Sequence, residues 1–280
     1  MINYFDTHCH LNSAKFDGDR DLIVKNASEA NVKIIDIATD LKSSKISAKY
    51  KNIYHQQVFS TVGFHPEEAE KNSNNGKLNL EKLANSLETL ITESSPVAIG
   101  ECGMDYYWLK VSGDTDAKSI EKKIRLQHDV FEAQVKLAKK LNLPIIIHTR
   151  AFPDDLERIV NEGLNILSNY GYPSGIFHSF TGDFKHAKLF LEQGYYISFN
   201  GIMTFKKSDE IRELFKLAFE RYPRQIVFET DSPYLAPEGK RGKRNKPVNV
   251  IEVYKLANEV IGKDISELIN QNVAGLFNLN

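Results

Sequence analysis

Leu143-Pro144-Ile145-Ile146-Ile147-His148-Thr149-Arg150 is a short apolar run entered through a proline and left through polar residues. Three consecutive isoleucines leave no polar face. Such a strand suits a position covered on both sides, as in a parallel sheet flanked by helices. Immediately before it, Leu126, Val130, Ala133, Leu137, Ala138 and Leu141 recur at helical spacing through residues 124–143. A helix feeding such a strand is half of a crossover unit.

The same alternation extends along the whole chain. Strands are predicted at residues 2–6, 33–38, 58–63, 97–101, 144–148, 175–178, 195–199 and 226–230. Helices are predicted at 19–31, 78–92, 124–143, 154–167, 184–193, 209–219 and 250–261. A last helix starts at Asp264, with Glu267 three residues on as a capping box. Eight such units in 280 residues predict an α/β fold, a single-domain (β/α)8 TIM barrel over residues 1–280. Residues 71–77 read as a polar surface loop, and 109–119 as a longer loop where active-site lids sit.

Composition narrows the function. A hydrophobic fraction of 41% is ordinary for a globular chain and supports a large core. The formal net charge of -1 excludes the global positive field of a protein that coats nucleic acid, so any such contact is local. Cys9 and Cys102 are the only cysteines, which excludes a disulfide framework. The chain enters its first strand without a signal-like segment, and no apolar run is long enough to span a bilayer. A cytoplasmic protein with no membrane contact and no obligate protein partner is expected.

Chemistry-bearing residues gather at the ends of the predicted strands. His8 and His10 end the first strand, where alternation sends both side chains to one face and Cys9 to the other. His65 follows the third, Glu101 ends the fourth, His148 and Arg150 the fifth, and His178 the sixth. Glu229 and Asp231 follow the eighth. Five of the eight histidines thus lie at the face where barrel enzymes work, while His55, His128 and His186 read as surface or packing residues without partners. Asp231 lies nearer the strand mouth and is preferred as a ligand, with Glu229 supporting. Cys9 and Cys102 read as small packing residues. Four histidines and two carboxylates exceed one metal's needs. They suit two divalent cations bridged by a carboxylate, and Glu101 is placed to be that bridge. Imidazole and carboxylate suit zinc, manganese or nickel, and the carboxylates also suit magnesium.

Several blocks, taken in order, resemble one known family. They are His8-Cys9-His10, Gly63-Phe64-His65-Pro66, Gly100-Glu101-Cys102-Gly103-Met104-Asp105-Tyr106, His148-Thr149-Arg150, His178-Ser179-Phe180-Thr181-Gly182 and Glu229-Thr230-Asp231-Ser232-Pro233. Together they resemble the TatD family of metal-dependent deoxyribonucleases, within the amidohydrolase superfamily. The resemblance implies that His8, His10, Glu101 and Asp231 hold one cation and Glu101, His148 and His178 the other. It implies that an activated water attacks a DNA phosphodiester, with Asp231 and Glu101 as catalytic groups. It also implies trimming from a 3′ end to 5′-mononucleotides. His65 and Arg150 are candidate phosphate contacts. The run Lys240-Arg241-Gly242-Lys243-Arg244-Asn245-Lys246 resembles the family's basic stretch, which makes Arg241 and Arg244 further candidates, and Tyr106, Tyr107 and Trp108 could stack on bases. The sequence departs from the family in the Ala151-Phe152 that follows Arg150, in Lys246 before Pro247, and in the long 109–119 segment.

Two other readings compete. One is an ester or amide hydrolase of the same superfamily, for example an aminoacyl-tRNA deacylase. The other is a catalytically silent nucleic-acid- or metal-binding protein, against which the complete ligand set argues.

Overall fold

A computed structural model describes residues 4–73, 77–113, 116–171 and 173–279. Its strands are β1 (Tyr4–Cys9), β2 (Val32–Asp36), β3 (Val58–Val62), β4 (Ala98–Asp105), β5 (Ile145–Arg150), β6 (Gly175–Phe177), β7 (Tyr196–Phe199) and β8 (Ile226–Phe228). They lie side by side in chain order, every neighbouring pair parallel. The helices are α1 (Arg20–Glu29), α2 (Leu41–Ile53), α3 (Pro66–Lys71), α4 (Leu80–Ser94), α5 (Tyr106–Val111), α6 (Ala117–Leu141), α7 (Leu156–Ser168), α8 (Phe184–Glu192), α9 (Asp209–Arg221), α10 (Val250–Ile261) and α11 (Ser266–Phe277). The domain is a single, nearly closed (β/α)8 barrel.

The seam between β8 and β1 closes beyond the end of β8. Asp231 N donates to His8 O at 2.8 Å, and His10 N donates to Ser232 O at 2.7 Å. Lower down, the buried Asp6 carboxylate accepts from Thr230 N at 2.8 Å and Thr230 Oγ1 at 2.6 Å. Side chains thus replace ladder bonds that the short β8 cannot make.

The apolar strands are covered on both faces, as their composition requires. Phe5, Ile35, Ala98, Ile146, Ile176 and Val227 pack with Phe59 and Tyr196 into one cluster drawing on all eight strands, the interior of the barrel. Val273, Leu276 and Phe277 of α11 join that cluster and plug its lower end. Ile145 and Ile147 belong instead to the larger cluster between the strands and the surrounding helices. No helix among the described residues is long and apolar enough to cross a membrane.

Several local expectations need correction. Helix α2 has no apolar stripe to betray it, because its buried face includes Ser44 and Ser47. Its legible signal is a capping box, in which Ser43 N donates to Asp40 Oδ1 and Asp40 N donates to Ser43 Oγ. Most of the expected 109–119 loop is helical. The Asp105 carboxylate caps α5, which reaches Val111, and Asp116 caps α6 from Ala117. What remains is a short 112–116 connection, of which 114 and 115 lie outside the described residues, as do 74–76 of the 71–77 loop and residues 2 and 3 of the first predicted strand. Asp264 and Glu267 form no capping box: Ser266 N donates to Asp264, and Glu267 pairs with Gln271. His128 and His186 do have partners, in Tyr106 Oη and Asp183.

Candidate metal centre

Two one-residue bulges decide which side chains reach the barrel mouth. In β1 the register passes from Asp6↔Ile34 to Cys9↔Asp36, and in β4 from Ile99↔Ile145 to Cys102↔Ile147. Phe5 and Ala98 face the interior below these points. Uninterrupted alternation would then send Cys9 and Cys102 inward and His8 and Glu101 outward. The extra residue inverts the parity. His8 and Glu101 turn in, and Cys9 and Cys102 join the outer cluster. No shift interrupts the β5–β6 pairing, and His148 and His178 follow the inward Ile146 and Ile176 by two residues. Gly103, at φ +131°, pairs with His148, and a Cβ there would meet His148 O at 2.1 Å. Only glycine lets these two ligand-bearing strands lie so close. Asp231 is placed by a left-handed turn at φ 54° just beyond β8.

The side chains converge in two adjoining groups that share Glu101. In the first, His8 Nε2 and His10 Nε2 are 3.4 Å apart. They lie 3.5 and 3.7 Å from Glu101 Oε2, and 3.8 and 3.3 Å from Asp231 Oδ1. A tetrahedral set of ligands about 2.1 Å from a cation has edges of about 3.4 Å. In the second group, Glu101 Oε1 lies 2.8 Å from both His148 Nδ1 and His178 Nε2, which are 3.0 Å from each other.

Hydrogen bonds at the far sides of the rings assign the tautomers. His10 Nδ1 donates to Ile37 O at 3.0 Å, so its Nε2 keeps a lone pair. His148 Nε2 donates to Asp105 Oδ2 at 2.9 Å, so the lone pair facing Glu101 is on Nδ1. His178 Nδ1 faces Glu229 Oε1 at 3.5 Å, while Ser198 Oγ donates to Glu229 at 2.6 Å and holds it in place. His65 is different. Its Nδ1 accepts from Glu67 N at 3.2 Å, which leaves Nε2, 3.6 Å from Glu101 Oε1, as a donor rather than a ligand. Asp105 is the residue whose role the motif reading missed. Its signal was the Gly100–Tyr106 block itself, a buried aspartate four residues beyond Glu101.

Electrostatics agree with a cation-ready site. Glu101 is 2% exposed and meets no Lys or Arg among the described residues. Burial would push its carboxyl up, but the imidazoles of His178, His65 and His8 hold it well below the usual range. Burial pulls His10 and His148 down, yet neighbouring carboxylates (Asp231 and Glu101 for His10, Asp105 and Glu101 for His148) raise each to about 9. His65 is pulled by burial to about 3 and is neutral at pH 7. Raised in this way, each ring also carries a proton on the nitrogen that faces the carboxylates, and a cation bound there would displace it and use the lone pair. The donor set, the convergent lone pairs and the absence of a basic side chain fit divalent metal.

Above this His/Glu cluster opens a cavity of about 1640 Å³. His10, His65, Glu101, His148, Arg150, His178 and Asp231 line it, whereas Arg241 and Arg244 do not. Arg244 forms a bidentate pair with Asp19, donates to Lys15 O at 2.6 Å and covers the Phe16 ring. Arg241 lies over Phe205, 4.4 Å from its centroid. The basic run thus staples the segment after β8 to the segment after β1. Lys246 N donates to the side chain of its neighbour Asn245, which is itself buried. Phe152, the departure after Arg150, packs on Tyr107. Tyr106 is buried with His128 and Glu162, away from any substrate.

A family model described as TatD related DNase matches residues 5–278. The uncharacterised metal-dependent hydrolase YabD of Bacillus subtilis is 33% identical over 285 residues, covering 99% of both chains. Among solved structures, the TatD homologue YjjV of Escherichia coli superposes with a TM-score of 0.81 at 25% identity, over 99% of this chain and 98% of its own. A TatD family hydrolase from Entamoeba histolytica shares the fold, with a TM-score of 0.76 at 20% identity and 98% of each chain covered.

Proposed function

The chain belongs to the TatD family of metal-dependent hydrolases, and on that premise we propose that it is a deoxyribonuclease using two divalent cations. The observation that carries the reading is Glu101, whose two oxygens face two separate sets of imidazole nitrogens. His8, His10, Glu101 and Asp231 hold one cation, and Glu101, His148 and His178 the other. When bound, the cations supply Lewis-acid polarisation of the phosphoryl group and lower the pKa of a nearby water. Asp231 orients that water and accepts its proton. Asp105 holds the His148 ring in the tautomer that faces the site, and Glu229 stands 3.5 Å behind His178 Nδ1. The neutral His65 donates Nε2–H to a non-bridging phosphate oxygen, and Arg150 grips the neighbouring phosphate.

A single-stranded 3′ end is the substrate form this mouth favours, releasing 5′-mononucleotides. Beyond the metal cluster the cavity lining carries eight carboxylates, from Asp17 to Glu213, against Lys42, Lys71 and Arg150. A long polyanion lying across the mouth meets net repulsion, whereas a terminus brings one or two phosphates to the cations. Arg244, neutralised by its pair with Asp19, and Arg241, laid over Phe205, make no contact inside the cavity. The two buried free cysteines suit a reducing, cytoplasmic setting. The same acidic lining favours a second reading, hydrolysis of a less charged ester or amide such as an aminoacyl ester.

The test is a time course on 5′-labelled single-stranded DNA with Mg²⁺, Mn²⁺, Zn²⁺ or Ni²⁺, alongside a His178→Ala preparation. A ladder shortening from the 3′ end, abolished by EDTA and by the substitution, is expected. No cleavage with any cation, together with turnover of an aminoacyl ester, transfers the site to the second reading.

A further inference from the structure

Trp108 is a large aromatic left 45% exposed on the wall of the active-site cavity. Nearly half of its surface is thus open to a ligand. Its position is nevertheless firmly held. Trp108 N donates to Asp105 Oδ1 at 2.8 Å, and the other oxygen of that carboxylate accepts from His148 Nε2. Tyr107 meets the indole edge-on with ring centroids 5.9 Å apart, and Phe152 backs Tyr107 at 4.7 Å. The backbone that carries the indole is therefore tied to the candidate metal centre through one carboxylate, and Tyr107 supports one edge of the ring.

A cation stands beside it. Arg150 follows His148 by two residues along β5, so both side chains leave the same face of the strand. Its guanidinium lies 4.1 Å from the Tyr107 centroid and flanks Trp108 at 5.7 Å. No carboxylate among the described residues pairs with it. The other exposed aromatic of the cavity, Tyr234, sits across the mouth after β8, four strands away. The ammonium of Lys15 lies 4.2 Å over that ring, whereas the guanidinium over Trp108 stands farther off, at 5.7 Å, and leaves more of the indole open.

We propose that Trp108 is the platform of a nucleobase subsite, on which the terminal base of the substrate stacks while Arg150 holds a phosphate of the same strand. Stacking on an indole accepts any base but requires an unpaired one. The subsite therefore selects single-stranded ends without reading sequence. This inference rests on the deoxyribonuclease reading, and it specifies which group of the substrate the pocket recognises besides the phosphodiester.

Trp108 is the sole tryptophan of the chain, so its fluorescence reports the subsite directly. The metal-loaded protein is titrated with 2′-deoxyadenosine 5′-monophosphate and, separately, with 2-deoxyribose 5-phosphate. Saturable quenching by the nucleotide and none by the sugar phosphate is expected, with Arg150→Ala weakening the nucleotide titration. In parallel, kcat/KM is measured on strands ending in a normal or an abasic 3′ nucleotide. Trp108→Ala should lose on the order of tenfold to a hundredfold on the normal strand and little on the abasic one, and Trp108→Phe should recover most of the loss. Equal losses on both strands, or DNA cleavage without quenching, overturns the subsite and leaves the nuclease reading standing. Quenching without cleavage of any strand overturns the nuclease reading and leaves a nucleotide subsite. Neither quenching nor cleavage overturns both.

Discussion

Asp105→Asn is a near-isosteric change that tests how the metal centre is held. Asp105 Oδ1 accepts from Trp108 N at 2.8 Å, and Oδ2 accepts from His148 Nε2 at 2.9 Å. Asparagine keeps the first bond through its carbonyl and presents an amide N–H to the second. His148 Nε2 must then become the acceptor, and the ring proton moves to Nδ1. That atom lies 2.8 Å from Glu101 Oε1 and 3.0 Å from His178 Nε2, where a lone pair is needed for metal. Loss of a partner that fixes a ligating histidine typically costs 10- to 100-fold in metal affinity. That corresponds to about 1.4–2.8 kcal/mol. The measurement is cation affinity by competition with a fluorescent chelator, with circular dichroism and thermal unfolding in the presence of EDTA as controls on the fold. One binding step should weaken while the metal-free protein unfolds much as before. Both steps unchanged within twofold, in a folded variant, refutes the tautomer argument.

Three further expectations are independent of that one. Glu101→Ala removes a ligand from both groups, so metal binding and nearly all hydrolysis should be lost while the barrel stays folded; wild-type turnover in this variant sinks the two-cation reading. Arg150→Ala should raise KM for single-stranded DNA and lower the slope of log KM against log salt by about 0.7, whereas Arg244→Ala, which loses the pair with Asp19, should barely move it; the reverse order returns phosphate binding to the segment after β8. Asp36 is fully buried and raised by that burial to about 6, against an ordinary value near 3.8. Between those values the folded state holds one more proton than the unfolded state, so this group makes stability fall as pH rises from about 4 to about 6, by about 3 kcal/mol in all. Asp36→Asn lacks that titration while Asn12 keeps its acceptor, so denaturant unfolding of the metal-free proteins should show the difference between variant and wild type widening across that window; a constant difference refutes the buried-acid account.

The barrel was legible in the amino-acid sequence, and so was the set of side chains that converges at its mouth. Each apolar run with polar residues after it had one stable solution, a strand covered on both faces with its polar end at the mouth. That is why His8, His10, Glu101, His148, His178 and Asp231 could be named without coordinates. Helix α2 was not legible as a periodic pattern, because serines fill part of its buried face. The direction of two key side chains was not legible either. Counting alternation from Phe5 and Ala98 puts His8 and Glu101 outside the barrel, and only the bulges in β1 and β4 turn them in. A bulge is a property of pairing with β2 and β5, strands distant along the chain, so no local pattern encodes it. The fate of the basic run was likewise a tertiary matter. Five cations in seven residues read as a grip on phosphate, but Asp19 lies 225 positions from Arg244 in the sequence and beside it in the fold. Pairing between such distant segments fixes which charges remain free, and at the cavity wall it leaves Arg150, beside an exposed indole, without a carboxylate partner among the described residues.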